Sequence, residues 1–246
     1  RQAQELGFDG LEIFPPAAGA IDVKQVASLL SDHSLKLAAV GTGGGWVRQR
    51  LHLTLPDAAA RQKARAFIRA IIDVAGQLGA PAIIGSMQGR SGDGVDHATA
   101  TGYLQDALQD LGEHARQYAV PLLYEPLNRY ETNMANTLEV GGHLLAGLST
   151  RNVKLLADLF HMNIEETDLP QSIRTAGEQI GHVHFVDSNR RPAGLGHLDF
   201  APIAAALKDI GYRGFASAEA FPYPDPLTAA RQTIEAFQSL FRASIT

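Results

Sequence analysis

One strand–helix–strand pattern is complete within residues 120–158, which read VPLLYEPLNRYETNMANTLEVGGHLLAGLSTRNVKLLAD. A short apolar run ends at Glu125, a helical segment follows over residues 137–148, and a second apolar run ends at Asp158. Both runs are apolar on both alternations, which is typical of parallel strands buried on two faces. The segment therefore predicts a β–α–β unit with an acidic group where each strand ends.

The same alternation continues along the whole chain. The runs predicted as strands are 8–14, 35–40, 81–85, 120–125, 153–158, 182–186 and 215–219, and the helical segments are 23–32, 57–79, 97–118, 137–148, 169–179, 201–210 and 228–241. Strands that alternate with helices through short connections predict a parallel sheet in an α/β fold.

Seven predicted strands leave two alternatives, a barrel that lacks one strand and an open sheet. A closed barrel has eight strands and eight helices, so the pattern is one strand short, and residues 1–6 read as the tail of a helix. We therefore predict a (β/α)8 barrel whose first strand is absent from this sequence, which we interpret as trimmed at its N-terminus. The alternative is a doubly wound open sheet, which would expose two long edges. The glycine run at 41–45 lacks the spacing of a dinucleotide-binding turn, and the segment that follows from Trp46 does not read as a helix start.

Composition limits the classes of partner. The chain of 246 residues is 45% hydrophobic and contains no linker or charge block, so we predict a single domain over residues 1–246. A net charge of −5 without a Lys/Arg run argues against a nucleic-acid partner. The absence of cysteine excludes disulfides and thiolate metal sites. No apolar stretch approaches the ~18 residues of a membrane span and no signal peptide opens the chain, so we expect a cytoplasmic protein without a membrane partner.

Four consecutive predicted strands carry a polar residue at or near their ends: Glu125, Asp158, His184 and Glu219. In a parallel barrel these side chains meet at the carboxyl-terminal face, where sites are built. Three clustered carboxylates repel one another, and a divalent cation removes that conflict. Each residue alone reads as a polar group satisfied by a backbone amide or water, whereas the set of four favours a metal site. Three carboxylates and one imidazole suit Mn²⁺ first, with Mg²⁺, Co²⁺ or Zn²⁺ as alternatives.

Several motifs around these residues resemble a known family. Residues 123–131 (LYEPLNRYE), 157–165 (ADLFHMNIE), 182–190 (HVHFVDSNR) and 217–221 (SAEAF) resemble the xylose-isomerase-like barrel superfamily, and within it the ketose 3-epimerases related to D-tagatose 3-epimerase. The resemblance covers essentially the whole chain. The sequence departs from the sugar epimerases after His184, where it reads Phe-Val-Asp-Ser-Asn.

The resemblance implies roles for individual residues. It implies that Glu125 and Glu219 are both metal ligands and catalytic acid/bases, and that Asp158 and His184 complete the metal site. It also implies that three further residues contact substrate: Glu131, His161 and Arg190. On residue type alone, Arg190 reads equally as a solvated loop residue and His161 equally as a turn residue, whereas Glu131 reads as a surface residue.

The implied function is that of an isomerase, most closely a ketose 3-epimerase acting through a cis-enediolate. The metal would polarise the sugar carbonyl, and two glutamates would exchange protons on opposite faces. A hydroxypyruvate-type isomerase, an inosose dehydratase and a sugar-phosphate epimerase could use the same ligands. A non-catalytic sugar-binding barrel is the alternative from another class, and it has no use for two flanking bases. The expected partner is a small sugar or sugar phosphate, and a homo-oligomer is compatible with the sequence.

Overall fold

The computed structural model describes residues 1–92 and 94–242. Over these residues, seven parallel strands form one sheet in the order β1 to β7. The strands are β1 Gly10–Ile13, β2 Lys36–Gly41, β3 Ala82–Ile84, β4 Leu122–Tyr124, β5 Val153–Asp158, β6 Ile180–His184 and β7 Ala216–Ser217. Each strand therefore pairs with its neighbour in sequence, as expected for repeated right-handed β–α–β units.

The sheet curves into a nearly closed barrel, which confirms the predicted fold class. No ladder joins β1 to β7 among the described residues, so these are the two edge strands. The two edges nevertheless lie close together. The side chain of Glu12 on β1 contacts His182 on β6, the strand next to β7. A methyl group added at Gly10 would lie 2.9 Å from the Phe215 ring, directly before β7.

Helices cover the outside of the barrel. They are α1 Gln2–Leu6, α2 Val23–Asp32, α3 Gly44–Gln49, α4 Ala58–Gln77, α5 His97–Arg116, α6 Leu138–Ala146, α7 Leu159–Glu165, α8 Leu169–Ala176, α9 Phe200–Asp209 and α10 Pro226–Phe241. Asp57 begins α4 as predicted, since its side chain accepts a hydrogen bond of 2.6 Å from the Ala60 amide. No helix within the described ranges is long and apolar enough to cross a membrane.

The alternation of side chains along the strands positions the site. Leu122 and Tyr124 on β4 point outward into the main core between strands and helices. Leu123 points inward, where it packs with Ala39, Ile83 and Leu156 in a small cluster inside the barrel. Because strand residues alternate between faces, the inward position after Leu123 is Glu125, and the inward position after Leu156 is Asp158.

Two helices differ from the sequence prediction. Helix α3 begins inside the glycine run, where we did not predict a helix. Its Gly45 lies so close to Met87 that an added Cβ would be 2.6 Å from the sulfur. Tight packing thus overrides the low helix propensity of glycine. Helix α7 was also missed, because it follows β5 without a loop and its N-cap is the strand residue Asp158.

Candidate active site

The structure brings together the four residues predicted as metal ligands. Glu125, Asp158, His184 and Glu219 each offer one ligand atom, and these atoms all lie within 4.8 Å of one another. The Nδ1 atom of His184 is 3.0 Å from Asp158 Oδ2, 3.5 Å from Glu125 Oε1 and 3.7 Å from Glu219 Oε2. The imidazole therefore stands at the centre of three carboxylates.

The electrostatics of this cluster are strained without a cation. Burial alone would raise the pKa of Asp158, but the hydrogen bond with His184 and the charges of His161 and Arg190 hold that pKa well below its usual range. Burial and the charge of Glu125 raise the pKa of Glu219, although Arg190 opposes the shift. Within the described residues, the buried Oε1 atom of Glu125 has no hydrogen-bond partner. An unsatisfied buried carboxylate oxygen among other carboxylates fits a cation-binding site.

Arg190 closes one side of the cluster. Its guanidinium contacts the Glu219 carboxylate, lies 3.8 Å from Asp158 Oδ2, and sits over the Phe160 ring. The backbone of Arg190 has φ of 58°, in the left-handed region, and its amide donates a hydrogen bond of 2.8 Å to the Asp187 carbonyl. This turn after β6 directs the side chain back over the barrel mouth.

His161 and Glu131 complete the polar groups around the cluster, and His161 Nε2 lies 3.3 Å from a guanidinium nitrogen of Arg190. The Nδ1 atom of His161 on α7 accepts from the Asn128 backbone amide at 3.2 Å, so its Nε2 atom faces the cluster at 3.9 Å from Glu125 Oε1. Glu131 accepts from the Asn128 side chain at 3.3 Å and is 44% exposed. Asn128, which the sequence did not single out, thus orients both His161 and Glu131.

A cavity of about 400 Å³ opens above the cluster. Its walls include both predicted acid/bases and all three predicted substrate contacts: Glu125, Glu219, Glu131, His161 and Arg190. The aromatic ring of Phe14 also lines this cavity, whereas Trp46 lines an adjoining one. A cavity of this size, with an apolar wall and a few convergent polar groups, is typical of a small-molecule site.

Sequence reasoning missed Glu12 and His182, which lie behind the cluster and whose side chains are only 7% and 2% exposed. They contact each other, and Glu12 Oε2 lies 3.3 Å from His184 Nε2. The available signals were an acidic residue within the otherwise apolar β1 run and a histidine two positions before His184, which places both histidines on one face of β6.

The family model described as xylose isomerase-like TIM barrel matches residues 1–240. The chain belongs to this family. It is 32% identical over 222 residues to an L-ribulose 3-epimerase from Methylomonas sp. (strain DH-1), a match that covers 89% of this chain and 76% of that protein. It is also 27% identical to a 3-dehydro-D-guloside 4-epimerase from Escherichia coli (strain K12), covering 95% of this chain and 90% of that protein.

Solved structures agree with these relatives. A D-allulose 3-epimerase from Methylomonas sp. superposes with a TM-score of 0.84 at 29% identity, covering 97% of this chain and 89% of that one. The predicted family resemblance and the predicted class of enzyme, an isomerase acting on carbohydrates, are confirmed by these family members. The roles of the individual site residues remain predictions.

Proposed function

We propose that this chain is a metal-dependent ketose 3-epimerase. The observation that carries the proposal is the arrangement of Glu125 and Glu219, which both line the cavity and both reach the four-residue cluster. A reaction that inverts a carbon centre through a planar intermediate needs two proton-transfer groups, one on each face. The similarity to an L-ribulose 3-epimerase over 89% of the chain supports the same reaction.

Glu125, Asp158, His184 and Glu219 would hold the metal. The unpartnered Oε1 atom of Glu125 and the hard, oxygen-rich donor set fit a divalent cation, with Mn²⁺ favoured over Mg²⁺, Co²⁺ or Zn²⁺. When bound, the ion would supply Lewis-acid polarisation of the sugar carbonyl.

The two glutamates would move the proton at C3 of the sugar. One carboxylate takes this proton. The C3–H bonding pair then forms a C2–C3 double bond while the carbonyl π pair moves onto the C2 oxygen, which gives a cis-enediolate of the sugar. The other glutamate, in its carboxylic-acid form, then gives a proton to the opposite face of C3. Because the reaction runs in both directions, each glutamate acts as the base in one direction and as the acid in the other.

The remaining polar groups of the cavity would bind and orient the sugar. Arg190 lines the cavity and contacts Glu219, one of the two proposed acid/bases. Its guanidinium therefore lies where it can offset negative charge on the enediolate. The Nε2 atom of His161 faces the cavity with its ring fixed by Asn128, so it can donate to a sugar oxygen. Glu131 can accept from a sugar hydroxyl at the cavity rim.

The test is to assay the purified protein with free ketoses and their phosphates after chelation and after addition of each divalent ion. The expected product is the C3 epimer, formed only with metal present. Formation of an aldose instead would favour a hydroxypyruvate-type or other aldose–ketose isomerase, and loss of water would favour a dehydratase. Sugar binding without turnover would favour the non-catalytic barrel.

A second cavity supports a second candidate, epimerisation at C4 of a 3-keto-glycoside. This cavity of about 370 Å³ meets the first at Ser86 and Glu131, and Trp46, Arg90 and Tyr130 line its walls. A free ketose has no group to fill it, whereas the second half of a glycoside would. The similarity to a 3-dehydro-D-guloside 4-epimerase points in the same direction. Under this candidate, Trp46→Ala lowers kcat/KM for the keto-glycoside and leaves turnover of free ketoses unchanged.

A further inference from the structure

Glu12 lies on the side of His184 that faces away from the three carboxylates. Its side chain is 7% exposed and is placed between two histidines of β6. One carboxylate oxygen contacts His182 Nε2, which also lies 3.1 Å from Ser217 Oγ, and the other oxygen is 3.3 Å from His184 Nε2. Strands β1, β6 and β7 thus supply one buried polar group that the proposed reaction does not use.

The two ring nitrogens of His184 have different surroundings. Nδ1 faces the carboxylate cluster, whereas Nε2 is buried and makes no hydrogen bond of good geometry to any described residue. The Glu12 carboxylate is the acceptor that faces Nε2. A buried N–H without a partner costs about 1–3 kcal/mol, so a small rotation that completes this hydrogen bond is favourable.

We propose that Glu12 is a positioning residue, which accepts the Nε2 proton of His184 and so presents Nδ1 to the metal. This role rests on the metal site of the proposed function. Metal-binding histidines commonly donate their other ring N–H to a carboxylate, which fixes the tautomer and the ring orientation. His182 holds the second oxygen of Glu12 and thereby fixes the direction of the carboxylate.

Glu12, His182 and His184 also lie close enough together to bind an ion of their own. Two observations favour the hydrogen-bonding role. Glu12 and His182 already contact each other directly. In addition, His184 would have to bridge two cations, and it could do so only after losing both ring protons.

The experiment compares Glu12→Gln with Glu165→Gln. Glu165 is a matched control because its side chain is also 7% exposed, but it pairs with Arg129 and makes no contact with His184. We expect the Kd for Mn²⁺, measured by titration calorimetry, to rise about 10- to 100-fold in Glu12→Gln and to stay unchanged in Glu165→Gln. Glu12→Asp, which keeps the carboxylate, should recover part of the affinity.

A spectroscopic readout separates positioning from a general effect on folding. In the Mg²⁺-loaded and the metal-free protein, the Nε2 proton of His184 should give a downfield, slowly exchanging signal, assigned by its loss in His184→Asn. This signal should move upfield in Glu12→Gln, while circular dichroism shows a folded chain.

Three results would overturn the role of Glu12. The first is an unchanged Mn²⁺ Kd and an unchanged proton signal in a folded Glu12→Gln variant. The second is binding of two ions per wild-type chain, with one ion lost in Glu12→Gln, because that assigns Glu12 to a second metal site. The third is a wild-type chain that epimerises sugars but binds no divalent ion. In that case the proposed metal site fails together with the role of Glu12. The first two results, in contrast, leave the proposed function intact.

Discussion

The two glutamates of the proposed reaction differ in their surroundings. Glu125 is buried beneath the cavity, while the side chain of Glu219 is 34% exposed and contacts Arg190. Burial and the charge of Glu125 raise the pKa of Glu219. Two carboxylates in unequal environments are the usual basis for separate acid and base roles in one site.

We expect Glu125→Gln and Glu219→Gln each to lower turnover by ~10²–10⁴-fold, because each loses a proton-transfer group but keeps an oxygen that can bind metal. Metal content by elemental analysis and steady-state rates on the confirmed ketose test this. The control is Glu139→Gln, which changes an exposed glutamate on α6. Full activity in either cavity variant would refute the two-base scheme.

Arg190 and its neighbour Arg191 provide a matched pair of arginines. Arg190 contacts Glu219, whereas the guanidinium of Arg191 sits 3.8 Å from the centre of the Tyr223 ring. We expect Arg190→Ala to lower kcat/KM by roughly 10- to 100-fold, since a hydrogen bond to a charged group contributes about 1.5–3 kcal/mol, and we expect His161→Ala to act in the same direction. Arg191→Ala should stay near wild type. A metal Kd that rises in Arg190→Ala or in His161→Ala would instead make the substituted residue part of the metal site.

Among the elements, the residue that follows β3 is a glycine, Gly85, which lies close to Glu125. A Cβ built at Gly85 would lie 2.4 Å from Glu125 Oε2, so this strand end leaves space for the Glu125 carboxylate. We expect Gly85→Ala to fold but to displace Glu125, which weakens metal binding and turnover by at least about tenfold. Kinetics and calorimetry measure both effects.

Gly102 on α5 is the control for this substitution, because an added Cβ meets nothing within 4 Å. Gly102→Ala should stabilise the chain by about 0.5–1 kcal/mol through the higher helix propensity of alanine, with activity unchanged. Equal activity in the two alanine variants would show that Gly85 does not constrain Glu125.

The loop after β4 is tied to α7 by Glu165. Its carboxylate accepts from the Arg129 backbone amide at 2.6 Å and from the Arg129 side chain at 2.9 Å. Burial alone would raise the pKa of Glu165, but these hydrogen bonds and the charge of Arg129 lower it below the ordinary value of 4.5. A lowered folded-state pKa stabilises the fold above pH 4.5, and that stability is lost as the pH falls through the folded value.

We therefore expect Glu165→Gln to lose about 1 kcal/mol of unfolding free energy at pH 7, a modest value because Arg129 is exposed. The difference from wild type should shrink as the pH drops below 4.5. Urea unfolding at several pH values measures it, and Glu113→Gln, which breaks an exposed pair with Arg116, serves as the comparison. A difference that stays constant with pH would contradict the ionic origin of the effect.

The strands and the candidate ligands were predictable because both depend on local pattern. Apolar runs with an acidic end place Glu125 and Asp158 on the inward face by simple alternation. The helices α3 and α7 were not predictable in this way, since Gly45 depends on packing against Met87 and α7 uses a strand residue as its cap. Element boundaries therefore depend on contacts that a single run of sequence does not contain.

In the whole molecule, closure of the barrel brings together side chains that are far apart in the sequence. Glu12 and His182 are 170 positions apart, and they meet only because β1 and β6 approach each other across the barrel. No local pattern links a glutamate in the first run to a histidine in the sixth. The two adjoining cavities likewise depend on loops that follow different strands, so a single run of sequence does not predict them.

If two glutamates exchange a proton at C3 of a ketose, hydrogen from solvent enters the sugar at that carbon, and isotope labelling measures this exchange. The metal-loaded protein is incubated with a free ketose in deuterated water, and the position of the label is read by NMR. We predict deuterium at C3 of both epimers, with C1 unlabelled, and a labelled product epimer that forms ~10²–10⁴-fold more slowly in Glu125→Gln or Glu219→Gln. Deuterium at C1 with formation of an aldose would contradict epimerisation at C3.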